Sequence, residues 1–167
     1  MAGITFMTTA DEGTTARWTT ATASISNTYA RTGTYSFKME GGNHMSKSVA
    51  SSATCPYARV CFYASAAGIV KVIFRESTNE HLYVSLNFTA GTVIVGRQTT
   101  PLATYSAGLQ TSTWYCLECT GVLSTTVGTS TVKLNRDIIA ELTLTGLNNA
   151  QWGGAVCDNI DIYNADI

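Results

Sequence analysis

The chain has 167 residues, a formal net charge of -1, and only 13% charged side chains against 45% hydrophobic ones. Its Lys and Arg residues are scattered singly, which excludes the basic stripe that follows a nucleic-acid backbone. No apolar run reaches the ~18–20 residues of a membrane-spanning helix, so neither nucleic acid nor membrane is an expected partner.

This length predicts one domain, residues 1–167, that buries roughly 70% of its unfolded surface. Ordinary domains carry about a quarter charged residues. The shortfall has two readings: a neutral, Thr/Ser-rich β surface, or a surface that meets other copies or a partner, because interface cores are poor in charge. The opening stretch MAGITFMTTADEG lacks a basic segment followed by an apolar core, so no secretion signal is expected. Five cysteines, Cys55, Cys61, Cys116, Cys119 and Cys157, then predict reduced thiols in a cytosolic product. Cys116-Leu117-Glu118-Cys119 has redox or zinc-ligand spacing, but residues three apart on a strand face opposite sides. No second such pair completes a zinc set, and small buried thiols are the expectation.

Taken in order, Ile4–Thr8 reads as a first strand with Ile4 and Phe6 inward. Asp11-Glu12-Gly13 is a turn signal, and Ala23–Asn27 a short strand. Arg31–Met39 puts Tyr35, Phe37 and Met39 on one face. His44–Ser48 is a further strand. Arg59–Ala64 turns Val60, Phe62 and Ala64 inward and Arg59, Cys61 and Tyr63 outward. Ile69–Glu76 opposes Val70, Val72 and Phe74 to Lys71, Ile73 and Arg75. His81–Phe88 opposes Leu82, Val84, Leu86 and Phe88 to Tyr83, Ser85 and Asn87. With Thr92–Arg97 these make a meander. Thr99–Ser112 reads as a polar connection tacked down by Leu102, Tyr105 and Leu109. Trp114 opens a strand, and a loop with Gly121 and Gly128 follows. A strand then ends at Asn135-Arg136, with Val132 and Leu134 opposite Lys133. Ile138 to Leu144 is read as a strand with Ile138, Ala140, Leu142 and Leu144 on one side. Leu147–Gly154 is a loop, and the last strand, Ala155–Tyr163, points Ile160 and Ile162 inward. About eleven or twelve short strands with alternating faces and no helix predict an all-β, two-sheet antiparallel sandwich, and Greek-key connections make it a jelly roll.

The order of several pieces carries a resemblance. Arg31–Phe37 (RTGTYSF) is similar to an early G-x-Y-S strand of jelly-roll binding modules. LYVSL, GTVIV, the Trp114–Cys119 strand and TVKLN resemble the laminin-G-like, concanavalin A-like sandwich, with Arg136 where that pattern usually has Gly. Asp158–Tyr163 (DNIDIY) resembles its closing strand. The resemblance implies a frame shared by lectins, adhesion modules, laminarinase-type hydrolases and phage virion proteins. The hydrolases carry Glu-x-Asp-x-x-Glu, a carboxylate pair about 5–9 Å apart. No such stretch exists here, so the expectation is a protein that is not an enzyme.

The resemblance also implies a structural calcium held by Asp11 or Glu12, the Gly33 backbone and Asp158. Carboxylates and carbonyls supply the roughly six to eight hard oxygens calcium takes; turn-forming acids are the other reading. For glycan binding, Tyr63 and Tyr83 alternate away from the core and Trp114 adds a ring, with Asn87 and Arg97 as polar neighbours for hydroxyls. Tyr115, Trp152 and Tyr105 could join them. Cross-strand pairing or a protein contact explains the same aromatics. His44 and His81 predict no metal or catalytic pair. No Gly-x-Ser-x-Gly elbow is present, and Gly91, Gly96 and Gly108 read as turn glycines.

The expectation drawn from resemblance and composition is a virion structural protein of a tailed bacteriophage, of capsid decoration or fibre type. Its partners would be other virion proteins in a homo-oligomer, and its place the virion. The alternative is a carbohydrate-binding module or lectin for host or environmental glycans.

Overall fold

The computed structural model describes residues 4–7, 19–31, 34, 36–150 and 156–165. The strands are β1 (Ile4–Met7), β2 (Thr20–Ala21), β3 (Ser24–Ser26), β4 (Ser36–Met39), β5 (His44–Ala53), β6 (Tyr57–Ala64), β7 (Ile69–Glu76) and β8 (Asn79–Asn87). They continue with β9 (Thr92–Arg97), β10 (Thr100–Ser106), β11 (Trp114–Thr120), β12 (Gly128–Leu134), β13 (Asp137–Ile138), β14 (Leu144–Leu147) and β15 (Cys157–Ala165). One sheet runs β13-β12-β11-β6-β1-β4-β3, with β14 attached to β12; the other runs β10-β9-β8-β7-β15-β5-β2. All pairings are antiparallel. The result is an all-β jelly-roll sandwich, as the alternating pattern predicts.

Period-two patterning builds the core between the sheets. Phe37 and Met39 of β4, Val60, Phe62 and Ala64 of β6, Leu117 and Cys119 of β11 and Val132 of β12 line one wall. Met45 of β5, Val70, Val72 and Phe74 of β7, Leu82, Val84 and Leu86 of β8, Val93 and Val95 of β9 and Ile162 of β15 line the other. Each such aliphatic or aromatic side chain contributes about 1.5–3 kcal/mol by leaving water.

Three expectations are corrected. The polar connection at 99–112 contains β10, which extends the meander to four strands and packs Ala103 and Tyr105 on the core. Its alternation is hidden by a register shift between Pro101 and Ala103, and its proline is tolerated because β10 is an edge strand. The segment from Ile138 to Leu144 is not one strand. Ile138 is 60% exposed, whereas Ile139 and Leu142 are buried three residues apart. A single 3-10 turn, Ala140–Leu142, produces that spacing, with Leu142 N–H donating to the Ile139 carbonyl at 3.1 Å. Gly96 is not a turn residue; it lies within β9.

The β12–β13 connection explains the odd Arg136. Asn135 and Arg136 both have positive φ, +53° and +81°. A two-residue hairpin turn of this kind needs φ > 0 at both central positions, which is why Asn-Gly is the usual pair. Arg136 takes the glycine position with its side chain in solvent.

Candidate functional site

The outward face of the eight-stranded sheet is set by register. Tyr63 pairs with Trp114, Cys61 with Cys116, Arg59 with Glu118, and Tyr57 with Thr120. On the next strand Lys133 lies opposite Glu118 and Thr131 opposite Thr120. Because their neighbours in sequence fill the core, all these side chains point away from it.

At one end the aromatics form a row. The Tyr29 ring, from the loop after β3, stacks on Tyr63 with centroids 4.6 Å apart and planes 22° apart. Tyr63 in turn meets the Trp114 ring at 5.6 Å. Tyr29 keeps 40% of its surface exposed. The next pair along is covalent: Cys61 and Cys116 form a disulfide, with the Arg31 guanidinium 3.4 Å from the Cys61 sulfur. Asn135 holds this spot from the side, accepting from the Cys116 N–H at 2.9 Å while its own N–H donates to the Cys116 carbonyl at 2.8 Å. Beyond the disulfide, Arg59 and Glu118 form an ion pair at 3.3 Å. Tyr57, 55% exposed, closes the face. Its phenol is pushed up from its ordinary value by partial burial and then by the nearby Glu118 carboxylate. A shallow depression there is lined by Tyr57, Glu118, Cys119, Thr120, Thr131 and Lys133.

The disulfide corrects the expectation of uniformly reduced cysteines. Cys119 and Cys157 are buried thiols as expected, pushed up by burial to about 12 and about 11, and so are poor nucleophiles. Cys55 is exposed.

The other glycan candidates do not join this face. Tyr83 lies on the outer side of the seven-stranded sheet, only 5% exposed. It lies flat over Gly96, where a Cβ would come within 2.3 Å of its ring; the missing side chain makes room for the aromatic, a pairing that restores packing over a strand glycine. The Lys71 ammonium covers the ring at 5.0 Å. Burial, then Glu80, raises the Tyr83 phenol. Asn87 accepts from the Thr89 and Ala90 N–H groups at 3.0 and 2.9 Å, shaping the turn after β8. Arg97 donates to the Asn148 side chain and, at 3.5 Å, to the Ala150 carbonyl, and so holds the 148–150 loop. Tyr105 and Tyr115 pack on the core. Trp152 lies outside the described residues, as do Asp11, Glu12 and Gly33 of the calcium set. Asp158 accepts from the Ser77 N–H with both oxygens, at 3.0 and 3.1 Å, and from the Asn159 amide at 2.9 Å. Among the described residues no group of three or more His, Cys, Asp or Glu could hold a metal ion. No helix among them is long and apolar enough to cross a membrane.

Sequence reasoning missed Tyr29, Arg31, Tyr57 and the disulfide. Tyr29 sits on irregular chain with no periodic signal, and Arg31, read in sequence as the start of the strand Arg31–Met39, lies on irregular chain before β4, which begins at Ser36. The disulfide did leave a trace: Cys61-Phe62-Tyr63 and Trp114-Tyr115-Cys116 are mirror spacings, and Arg59 and Glu118 continue them with opposite charge. Antiparallel strands bearing such complementary outward residues pair in one register.

Neither a family model nor a curated protein matches the sequence. Among solved structures the chain is similar to a carbohydrate-binding module, CBM66, from Bacillus subtilis. The TM-score is 0.53 at 9% identity, over 90% of this chain and 92% of the other. At that identity the likeness shows the fold, a β-sandwich spanning nearly the whole of both chains.

Proposed function

We propose that this chain is a non-catalytic glycan-binding module that receives sugar rings on the outer face of its eight-stranded sheet. The observation that carries this reading is the row Tyr29, Tyr63 and Trp114, three rings gathered from a loop and two strands onto one partly exposed surface. The ring faces that these contacts leave uncovered present π surface to sugar C–H groups, and the neighbouring Arg groups supply partners for hydroxyls. The fold likeness to a carbohydrate-binding module supports a binding role. On this face Glu118 is held by Arg59 and Glu40 by Lys38. That leaves these carboxylates committed to cations rather than poised as the acid and nucleophile of glycoside cleavage.

The test is calorimetry against a panel of oligosaccharides. Trp114→Ala weakens binding about ten-fold, the loss of one stacked ring, and Tyr63→Ala does the same. Tyr83→Phe, on the other sheet, leaves affinity unchanged. Binding that survives both Trp114→Ala and Tyr63→Ala refutes the placement, and the absence of any sugar binding at millimolar ligand refutes the reading.

A capsid decoration or fibre-type virion role in a tailed bacteriophage, as a homo-oligomer, is the second reading. It rests on the low charge content and on analogy. The disulfide is compatible with both, because such bonds persist on secreted proteins and on virion or cell surfaces. Co-sedimentation with capsids distinguishes the two. A structural calcium at Asp158 would require Asp11, Glu12 or Gly33 to reach a carboxylate already engaged by Ser77 and Asn159; a calcium-dependent rise in melting temperature would support it.

A further inference from the structure

The same face carries a charge pattern that the aromatic row does not account for. Arg31, Lys38, Arg59 and Lys133, with Arg136 at the β12–β13 turn, are the cations on or bordering it among the described residues; Glu40 and Glu118, with Asp137 of the edge strand β13, are the carboxylates. The excess is two positive charges, on a chain whose formal net charge is -1. Lys38 and Arg59 are neutralised by Glu40 and Glu118 at 2.8 and 3.3 Å. No carboxylate among the described residues forms an ion pair with Arg31 or Lys133. These two flank the strip: Arg31 lies over the disulfide, and Lys133 borders the depression beside Tyr57.

The strip is also long. Tyr57 and Tyr63 are six residues apart on β6 and face the same side, so the exposed Tyr57 ring lies roughly 20 Å along the strand from the Tyr63–Trp114 pair. Aromatic surface therefore bounds both ends, and Arg31 and Lys133, without an ion pair among the described residues, lie between them.

We infer that the ligand is an anionic glycan chain, bearing uronate or sulfate groups, laid along β6 and β11 from the Tyr29–Tyr63–Trp114 row to Tyr57 with its acidic groups against Arg31 and Lys133. This rests on the glycan-binding reading above and specifies the ligand class and the second end of the site. A single-stranded nucleic acid also combines stacking with negative charge. Its backbone charge is dense and calls for a groove of many cations, whereas Arg31 and Lys133, left without an ion pair among the described residues, suit a chain with spaced acidic groups.

The experiment compares a uronate hexasaccharide, a uronate disaccharide, a neutral hexasaccharide and a single-stranded oligonucleotide by calorimetry with the full chain. The expected order places the uronate hexasaccharide above the neutral one and above its own disaccharide. Raising salt from about 0.01 M to about 1 M shortens the screening length from ~30 Å to ~3 Å and removes the preference over the neutral sugar. Lys133→Gln lowers uronate affinity about three-fold, the scale of one exposed charge pair, and leaves neutral-sugar affinity unchanged, whereas Arg31→Gln, beside the aromatic row, lowers uronate affinity by a larger factor than neutral-sugar affinity. Tyr57→Ala lowers affinity for the hexasaccharide but not for the disaccharide. Equal or tighter binding of the neutral hexasaccharide overturns the charge assignment while leaving glycan binding intact. A silent Tyr57→Ala overturns the extended track, and tighter binding of the oligonucleotide overturns the ligand class. Binding of no sugar at all overturns the glycan reading itself.

Discussion

Removing the Cys61–Cys116 disulfide is the most direct test of how this sheet face is held. The bond closes a segment with a sequence separation of 55. In the chain-entropy model, opening a loop of that size returns about 14 cal/mol/K to the unfolded chain, or about 4 kcal/mol at 25 °C. For a domain of this length each kcal/mol moves the melting temperature by roughly 2–4 °C, so the Cys61→Ala/Cys116→Ala double variant should melt roughly 8–16 °C lower by calorimetry. Reduced wild-type protein should fall by a similar amount. Alkylation followed by mass spectrometry checks the bond itself. Denatured, unreduced protein should take three labels, on Cys55, Cys119 and Cys157, and reduced protein five. In the native state only exposed Cys55 should react promptly, because burial keeps the Cys119 and Cys157 thiols protonated. Five labels without reductant, in protein made under oxidising conditions, would refute the pairing. A drop in melting temperature below about 3 °C would refute the entropic argument.

Other perturbations test separate parts of the fold. Arg136→Gly relieves a left-handed backbone position at φ +81° and should stabilise by about 1 kcal/mol in urea unfolding. Asn149 is fully buried; its side chain accepts from the Ser124 N–H and donates to the Val122 and Thr129 carbonyls, each at 2.9 Å. Asn149→Ala strands three backbone groups and should cost about 3 kcal/mol or more. Burial depresses the His81 imidazole below its ordinary 6.5, against the opposing pull of Glu76. Below pH 6.5 the unfolded chain takes a proton that the folded ring resists, so stability falls as pH drops, by at most about 1.4 kcal/mol per unit. Urea midpoints across that window should show the decline, and His81→Gln should flatten it; an unchanged slope in the variant would assign the dependence to other groups.

The strands were legible because the period-two signal is local. Val70, Val72 and Phe74 against Lys71 and Arg75, and Leu82, Val84 and Leu86 against Tyr83 and Ser85, declare within one strand the side that faces the core between the sheets. β10 and the Ile139–Leu142 turn were not legible: a register shift breaks the alternation of one, and the other buries residues at a spacing of three that a strand template misassigns.

The candidate face divides along the same line. Alternation alone turned Tyr63 and Trp114 outward, and it turned Tyr83 outward as well. Alternation carries no information about which strands become neighbours or what lies over a ring. The pairing of β6 with β11 set Tyr63 beside Trp114 and joined Cys61 to Cys116. A loop brought Tyr29 onto Tyr63, and the gap above Gly96 let Tyr83 lie flat under Lys71 instead of facing solvent. Which way a side chain points is a property of its own strand's geometry, and so the chain determined it residue by residue. Which residues meet depends on contacts between segments far apart in sequence, and only the folded arrangement of the two sheets decided that.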